Sequence, residues 1–169
     1  MSDVDALLTE LLGLLTREID LHRGLLSLLQ KEKEFLVDLS TEELVENNKK
    51  KETSTLQIKM LEESRSSLIA RLAQHCAVPA PELTLSKLVF LIEEPYRSAL
   101  EGARSKLVSL LGSIQEVNRH NCLLVRDSLH YAQQSLNVLY RSSSPNPTYL
   151  VDGSMKGPSR FGGLLSKEI

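Results

Sequence analysis

The sequence predicts an all-α fold: an elongated antiparallel helical bundle or coiled coil of three main helices, followed by a disordered C-terminal tail. Three observations carry that expectation. Apolar residues make up 41% of the chain but aromatics only 4%, with no Trp, so leucine supplies a core suited to helix-on-helix packing. Over long stretches those apolar residues recur at alternating four and three spacing, the period of a helix laid against other helices. Finally, no proline precedes Pro79, and half of the eight glycines follow Val151, so the helix breakers stand between and after the periodic segments.

The first segment runs from about Asp3 to Leu39. Its seam is Leu8, Leu12, Leu15, Ile19, His22, Leu26, Leu29, Lys33 and Leu36. Asp3 or Ser2 can cap its start, with carboxylates near the positive end of the helix dipole. Asp38-Leu39-Ser40-Thr41 breaks it, and Ser40 followed by Glu43 fits a capping box for the second helix. That helix extends from about Thr41 to Cys76. Its first half, Val45 to Ser54, is almost entirely polar and includes Lys49-Lys50-Lys51, which reads as a solvated arm. Its second half recovers a seam at Ile58, Leu61, Arg65, Leu68 and Leu72.

Val78-Pro79-Ala80-Pro81 ends the second helix, because proline disfavours helix at itself and at the residue before it. A short helix from about Thr84 to Ile92 follows. Pro95 then stands at an allowed first-turn position of the last long helix, which reaches about Arg141. The seam of that helix is Ala103, Leu107, Leu110, Ile114 and Val117. Asn121 takes the next position, inside Asn118-Arg119-His120-Asn121, and the seam then resumes to Leu139. Beyond it, Ser142-Ser143-Ser144-Pro145-Asn146-Pro147 leads into a tail rich in Gly, Ser and Pro. Such a segment buries too little apolar surface to offset its ordering entropy. The expected organisation is therefore a helical body at 1–141 and a flexible tail at 142–169.

Composition and spacing exclude several functions. A net charge of -2 gives no basic field for nucleic acid. No apolar run approaches the roughly 20 residues of a membrane span, and the acidic start Met1-Ser2-Asp3-Val4-Asp5 lacks the basic opening of a signal peptide. Cys76 and Cys122 read as buried free thiols of a reducing compartment, which points to the cytoplasm. His22, His75, His120 and His130 show no ligand spacing with one another or with the cysteines. Glu62-Glu63 and Glu93-Glu94 read as a solvated face and a helix start. No glycine-rich phosphate loop follows a strand. No cofactor, metal or catalytic residue is expected.

Two features point to binding. An asparagine on a helical seam costs stability unless its amide is paired; Asn118 and Asn121 read either as a buried contact fixing register or as part of a partner-facing groove. Tyr149, in Pro147-Thr148-Tyr149, reads either as an ordinary tail residue or as the anchor of a short docking motif, since tyrosine offers large area with few torsions to freeze.

At these residues the chain resembles the FlgN family, flagellar export chaperones of hook-associated proteins. Asn118-Arg119-His120-Asn121 with Leu123-Leu124, then Gln133-Gln134-Ser135-Leu136-Asn137-Val138-Leu139, is similar to the family's last helix. Pro147-Thr148-Tyr149 with Asp152-Gly153 is similar to its tail, although Leu150-Val151 stands where the family often has small residues. Over residues 1–113 the resemblance is one of pattern. It implies a non-enzymatic cytoplasmic chaperone that holds the C-terminal helical segments of the hook–filament junction proteins FlgK and FlgL and delivers them to the export gate protein FlhA. On that reading Ile114, Val117, Asn118, Asn121, Leu124, Leu136 and Leu139 contact the client, and Tyr149, Asp152 and Gly153 dock at the gate. No nucleic acid and no stable membrane insertion are implied. The competing expectation is a structural coiled-coil protein that self-associates through its seam, as a homodimer.

Overall fold

The computed structural model describes residues 3–143, with side chains described through Tyr140. They form α1 (Asp3–Val37), α2 (Thr41–His75), a 3-10 turn (Ala80–Glu82), α3 (Leu85–Leu91) and α4 (Tyr96–Ser143). No strand occurs among the described residues. Residues 144–169, with Tyr149, Asp152 and Gly153, lie outside them. The chain divides into two compact units, Met1–Arg126 and Asp127–Ile169.

Within the first unit, α1 and α2 are antiparallel. Three cross-links fix the direction: Asp3 Oδ2 with His75 Nε2 at 3.4 Å, Glu18 Oε1 with Arg65 Nε at 2.9 Å, and Glu32 with Lys51. The first part of α4 runs parallel to α1. Thr9 Oγ1 and Tyr96 Oη are 3.2 Å apart near both helix starts, and Asn121 Nδ2 donates to the Leu29 carbonyl oxygen further along, at 2.8 Å. The breaks between helices stand where the sequence puts them, but their chemistry differs from expectation. Ser40 is the N-cap of α2 and makes no side-chain capping bond, so the capping box does not form. The turn is held from the other side, in a Schellman closure: the Ser40 N–H donates to the Phe35 carbonyl at 3.0 Å while Leu39 adopts φ 55°. The end of α2 repeats this, with the Val78 N–H on the Ala73 carbonyl at 3.1 Å and Ala77 at φ 52°. Thr84 does cap α3, accepting from the Lys87 N–H at 3.2 Å. Pro95 immediately precedes α4, which starts at Tyr96.

The apolar core is concentrated toward one end of this unit. One cluster joins Leu7, Leu8, Leu11, Leu15 and Ile19 of α1 to Leu68, Leu72 and Ala73 of α2, with Leu88 and Val89 of α3 and Leu100 and Leu107 of α4. Leu83, just after the 3-10 turn, and Ile92, just after α3, are buried in it, which explains why a short proline-rich link and a seven-residue helix are held in place. Each buried leucine contributes on the order of 1.5–3 kcal/mol before entropy is subtracted. Because three elements surround the start of α1, its buried face is wider than a two-helix seam and takes in Leu7, Leu11 and Glu18 as well.

Further along, the interior becomes polar. Glu18, His22, Asn47 and Asn121 are all buried. The His22 Nδ1 lies 2.7 Å from the Glu18 carbonyl oxygen, and Asn47 Nδ2 donates to the Leu28 carbonyl at 3.0 Å. The polar half of α2 is therefore not a solvated arm throughout: Asn47 and Lys51 turn inward to α1 while Lys49 and Lys50 remain exposed. Expected burial of the two thiols is also corrected. Both cysteines are free, but Cys76 is half-buried and Cys122 exposed, since Cys122 follows the inward Asn121 and so points about 100° away from it on the helix.

Candidate functional site

The candidate site is the surface of α4, because that helix carries the sequence-expected contact residues and most of the exposed large apolar side chains among the described residues. In the first unit its inward seam is as expected. Leu100 and Leu107 are buried, Ala103, Leu110, Ile114 and Val117 are half-buried, and Asn121 is 3% exposed. Asn121 is spent on the bundle. Its Nδ2 donates to the Leu29 carbonyl and, at 3.0 Å, to Glu32 Oε2. Both neighbours are acceptors, so the amide must turn its NH2 toward them, and Oδ1 is left buried without a partner. Asn118, one turn earlier, is exposed. It lines a groove of about 730 Å³ with Ile114, Leu25 and Leu29 of α1, and Lys51, Thr55 and Leu56 of α2. The two asparagines thus answer differently: Asn121 is committed to α1, while Asn118 faces open space. Leu124 is half-buried.

The described part of the second unit, 127–143, is wholly helical, and every side chain from Asp127 to Tyr140 is exposed. Leu129, Leu136 and Leu139 are 58%, 53% and 60% exposed, and with Ala132 they follow three-four spacing along one face of the helix. That face is not the continuation of the inward seam. Counting on from Asn121 and Leu124 in threes and fours gives Ser128, Tyr131, Ser135 and Val138, one residue out of step with the leucines. The leucines of the seam expected to resume as far as Leu139 are thus exposed, and they fall one residue out of step with the count from Asn121. Polar neighbours brace the helix locally: Gln134 Nε2 lies 2.8 Å from His130 Nε2, and Ser135 Oγ donates to the Tyr131 carbonyl at 2.9 Å.

The expected contact residues thus fall into three groups. Leu136 and Leu139 stand on the exposed stripe, Ile114 and Asn118 line the groove, and Val117, Asn121 and Leu124 are turned partly or fully inward. Sequence reading missed Leu129, which its one-residue slip hides from a continuous four-three count, and the exposed Val108, Leu111 and Val125 of the first unit, which are 60%, 43% and 49% exposed. Among the described residues, no three or more His, Cys, Asp or Glu side chains gather to hold a metal, and no helix is long and apolar enough to cross a membrane.

A family model described as FlgN protein matches residues 1–157, nearly the whole chain. No curated protein and no solved structure matches it.

Proposed function

Because the chain belongs to the FlgN family, a family of flagellar chaperones, we propose that it is an export chaperone that covers the C-terminal helical segments of the hook-associated proteins FlgK and FlgL in the cytoplasm and hands them to the export gate protein FlhA. The observation that carries this reading is the exposed stripe Leu129, Ala132, Leu136 and Leu139. Proteins that assemble through terminal helices expose apolar stripes until they are assembled, and such stripes are prone to self-association. A helix with its own unburied stripe covers them by side-by-side helix packing. Leu136 and Leu139 are the principal client contacts on this reading; the other expected contacts, Ile114, Val117, Asn118 and Leu124, belong to the first unit, where Asn121 holds the helix. Tyr149 is the gate anchor, with Asp152 and Gly153 shaping the chain beside it; the family's tail motif supports that assignment.

The test is Leu136→Asp with a purified client carrying its C-terminal segment. Leu136 is half-exposed, so helicity by circular dichroism should be retained while client affinity falls at least tenfold, about 1.4 kcal/mol. Retained helicity with unchanged client affinity sinks the proposal. The competing reading, self-association through the stripe as a homodimer, predicts a wild-type dimer by sedimentation that Leu136→Asp converts to monomer without any client.

A further inference from the structure

The interior of the first unit changes character along its length. Among the described residues, the apolar cluster takes nothing from α1 beyond Ile19, nothing from α2 before Leu68 and nothing from α4 after Leu110. Past that point polar groups join the three helices, beside half-buried apolar residues such as Leu26, Leu61 and Val117. Glu32 of α1 receives Lys51 of α2 on one carboxylate oxygen and Asn121 of α4 on the other, with side chains of Glu32 and Lys51 only 12% and 20% exposed. Asn47 of α2 bonds the α1 backbone one residue from the carbonyl that Asn121 takes. A buried amide oxygen with no partner, on Asn121, lowers the gain from closing this contact. The open groove beside it, about 730 Å³, means the apolar residues Leu25, Leu29 and Ile114 are not fully packed against one another. Leu29 and Ile58 are the buried apolar residues that remain here.

We propose that Glu32, Lys51 and Asn121 form a polar latch, which lets the second half of the three-helix contact open locally while the apolar half stays closed. Regions with few buried apolar contacts open at a lower free energy than the core they adjoin. Hydrogen bonds carry less net stability than the leucine layers do, so the latch gives a defined register at small cost to opening. This device is independent of which partner the chaperone carries, and it is tested without any partner.

The experiment is native-state hydrogen exchange on the full chain, read by mass spectrometry. Amides of residues 22–33, 44–56 and 112–124 should be protected at least tenfold less than those of 7–19, 65–73 and 100–107. Asn121→Leu removes the unpaired oxygen and adds apolar contact, so it should raise protection severalfold in the first set and leave the second unchanged. Lys51→Met strips Glu32 of its cation and should lower protection in the first set alone, which keeps the idea testable if Asn121→Leu folds poorly. Equal protection in the two sets overturns the latch. So does an effect of either variant spread evenly over both, since the unit would then open only as a whole.

Discussion

Replacing Arg65 by methionine should be far more damaging than replacing its partner, although the two form one ion pair. Glu18 is 3% exposed at its side chain and Arg65 27%, with 2.9 Å between Oε1 and Nε. In Arg65→Met the carboxylate stays buried where α1 puts it and has lost the cation that pairs with it. Leaving an uncompensated buried charge costs about 3–5 kcal/mol. For a unit of this size, about 2–4 °C of melting temperature goes with each kcal/mol, so a fall on the order of 10 °C follows. In Glu18→Gln the guanidinium is already partly in water and rotates outward, so the cost is that of a hydrogen bond, about 1–2 kcal/mol. The double variant Glu18→Leu with Arg65→Met removes both charges together and should recover most of the loss. Urea unfolding followed by circular dichroism on all four proteins makes the comparison. If Arg65→Met lies within about 1 kcal/mol of wild type, or costs no more than Glu18→Gln, the argument from burial is wrong.

Further expectations can be checked with the same proteins. Leu39→Gly should stabilise by about 0.5–1 kcal/mol, because Leu39 holds φ 55° while 76% exposed and loses little packing; Ala77→Gly should act similarly, and a lowered melting temperature in both refutes the reading of the two helix ends. Thr84→Ala removes the cap on α3 and should cost about 1 kcal/mol in urea unfolding; no change means that packing of Leu83 and Leu88 alone sets the helix start. Tyr149→Ala should leave client binding and melting unchanged but weaken the client-loaded complex with the FlhA cytoplasmic domain by roughly thirtyfold, about 2 kcal/mol; equal affinities remove Tyr149 from the gate contact.

Periodicity made the long helices legible because each has one dominant packing direction. Ile58, Leu68 and Leu72 are buried as their spacing predicts, and so are Leu107 and Asn121. What spacing did not reveal has a common cause: a residue's environment includes helices distant in sequence. Leu7, Leu11 and Glu18 fall off a two-helix seam but are covered once α2 and α4 flank α1 on both sides. Lys51 looks solvated within its lysine run, and only the antiparallel register of α1 shows the carboxylate opposite it. The helix ends were visible as breaks, yet their closure was not, since Leu39 and Ala77 are not the glycines that normally announce a left-handed cap. In the candidate site, Leu136 and Leu139 were visible as helical leucines, but their displacement from the inward seam emerges only when the buried and exposed faces are told apart residue by residue.

That displacement divides α4 into two stretches that substitution should tell apart. Asn121 is buried and its neighbour Cys122 exposed, whereas Ser128 and Leu129 are both exposed and differ only in chemistry. A library covering every substitution from residue 100 to 140, scored once for cellular abundance and once for secretion of the cargo, should therefore give two waves. The abundance wave should peak at Leu100 and Leu107 and fade beyond Leu124. The secretion wave should rise where the first fades, peaking at Leu129, Leu136 and Leu139. The crossover would mark, on a single continuous helix, where the sequence stops serving its own fold and begins serving another protein's.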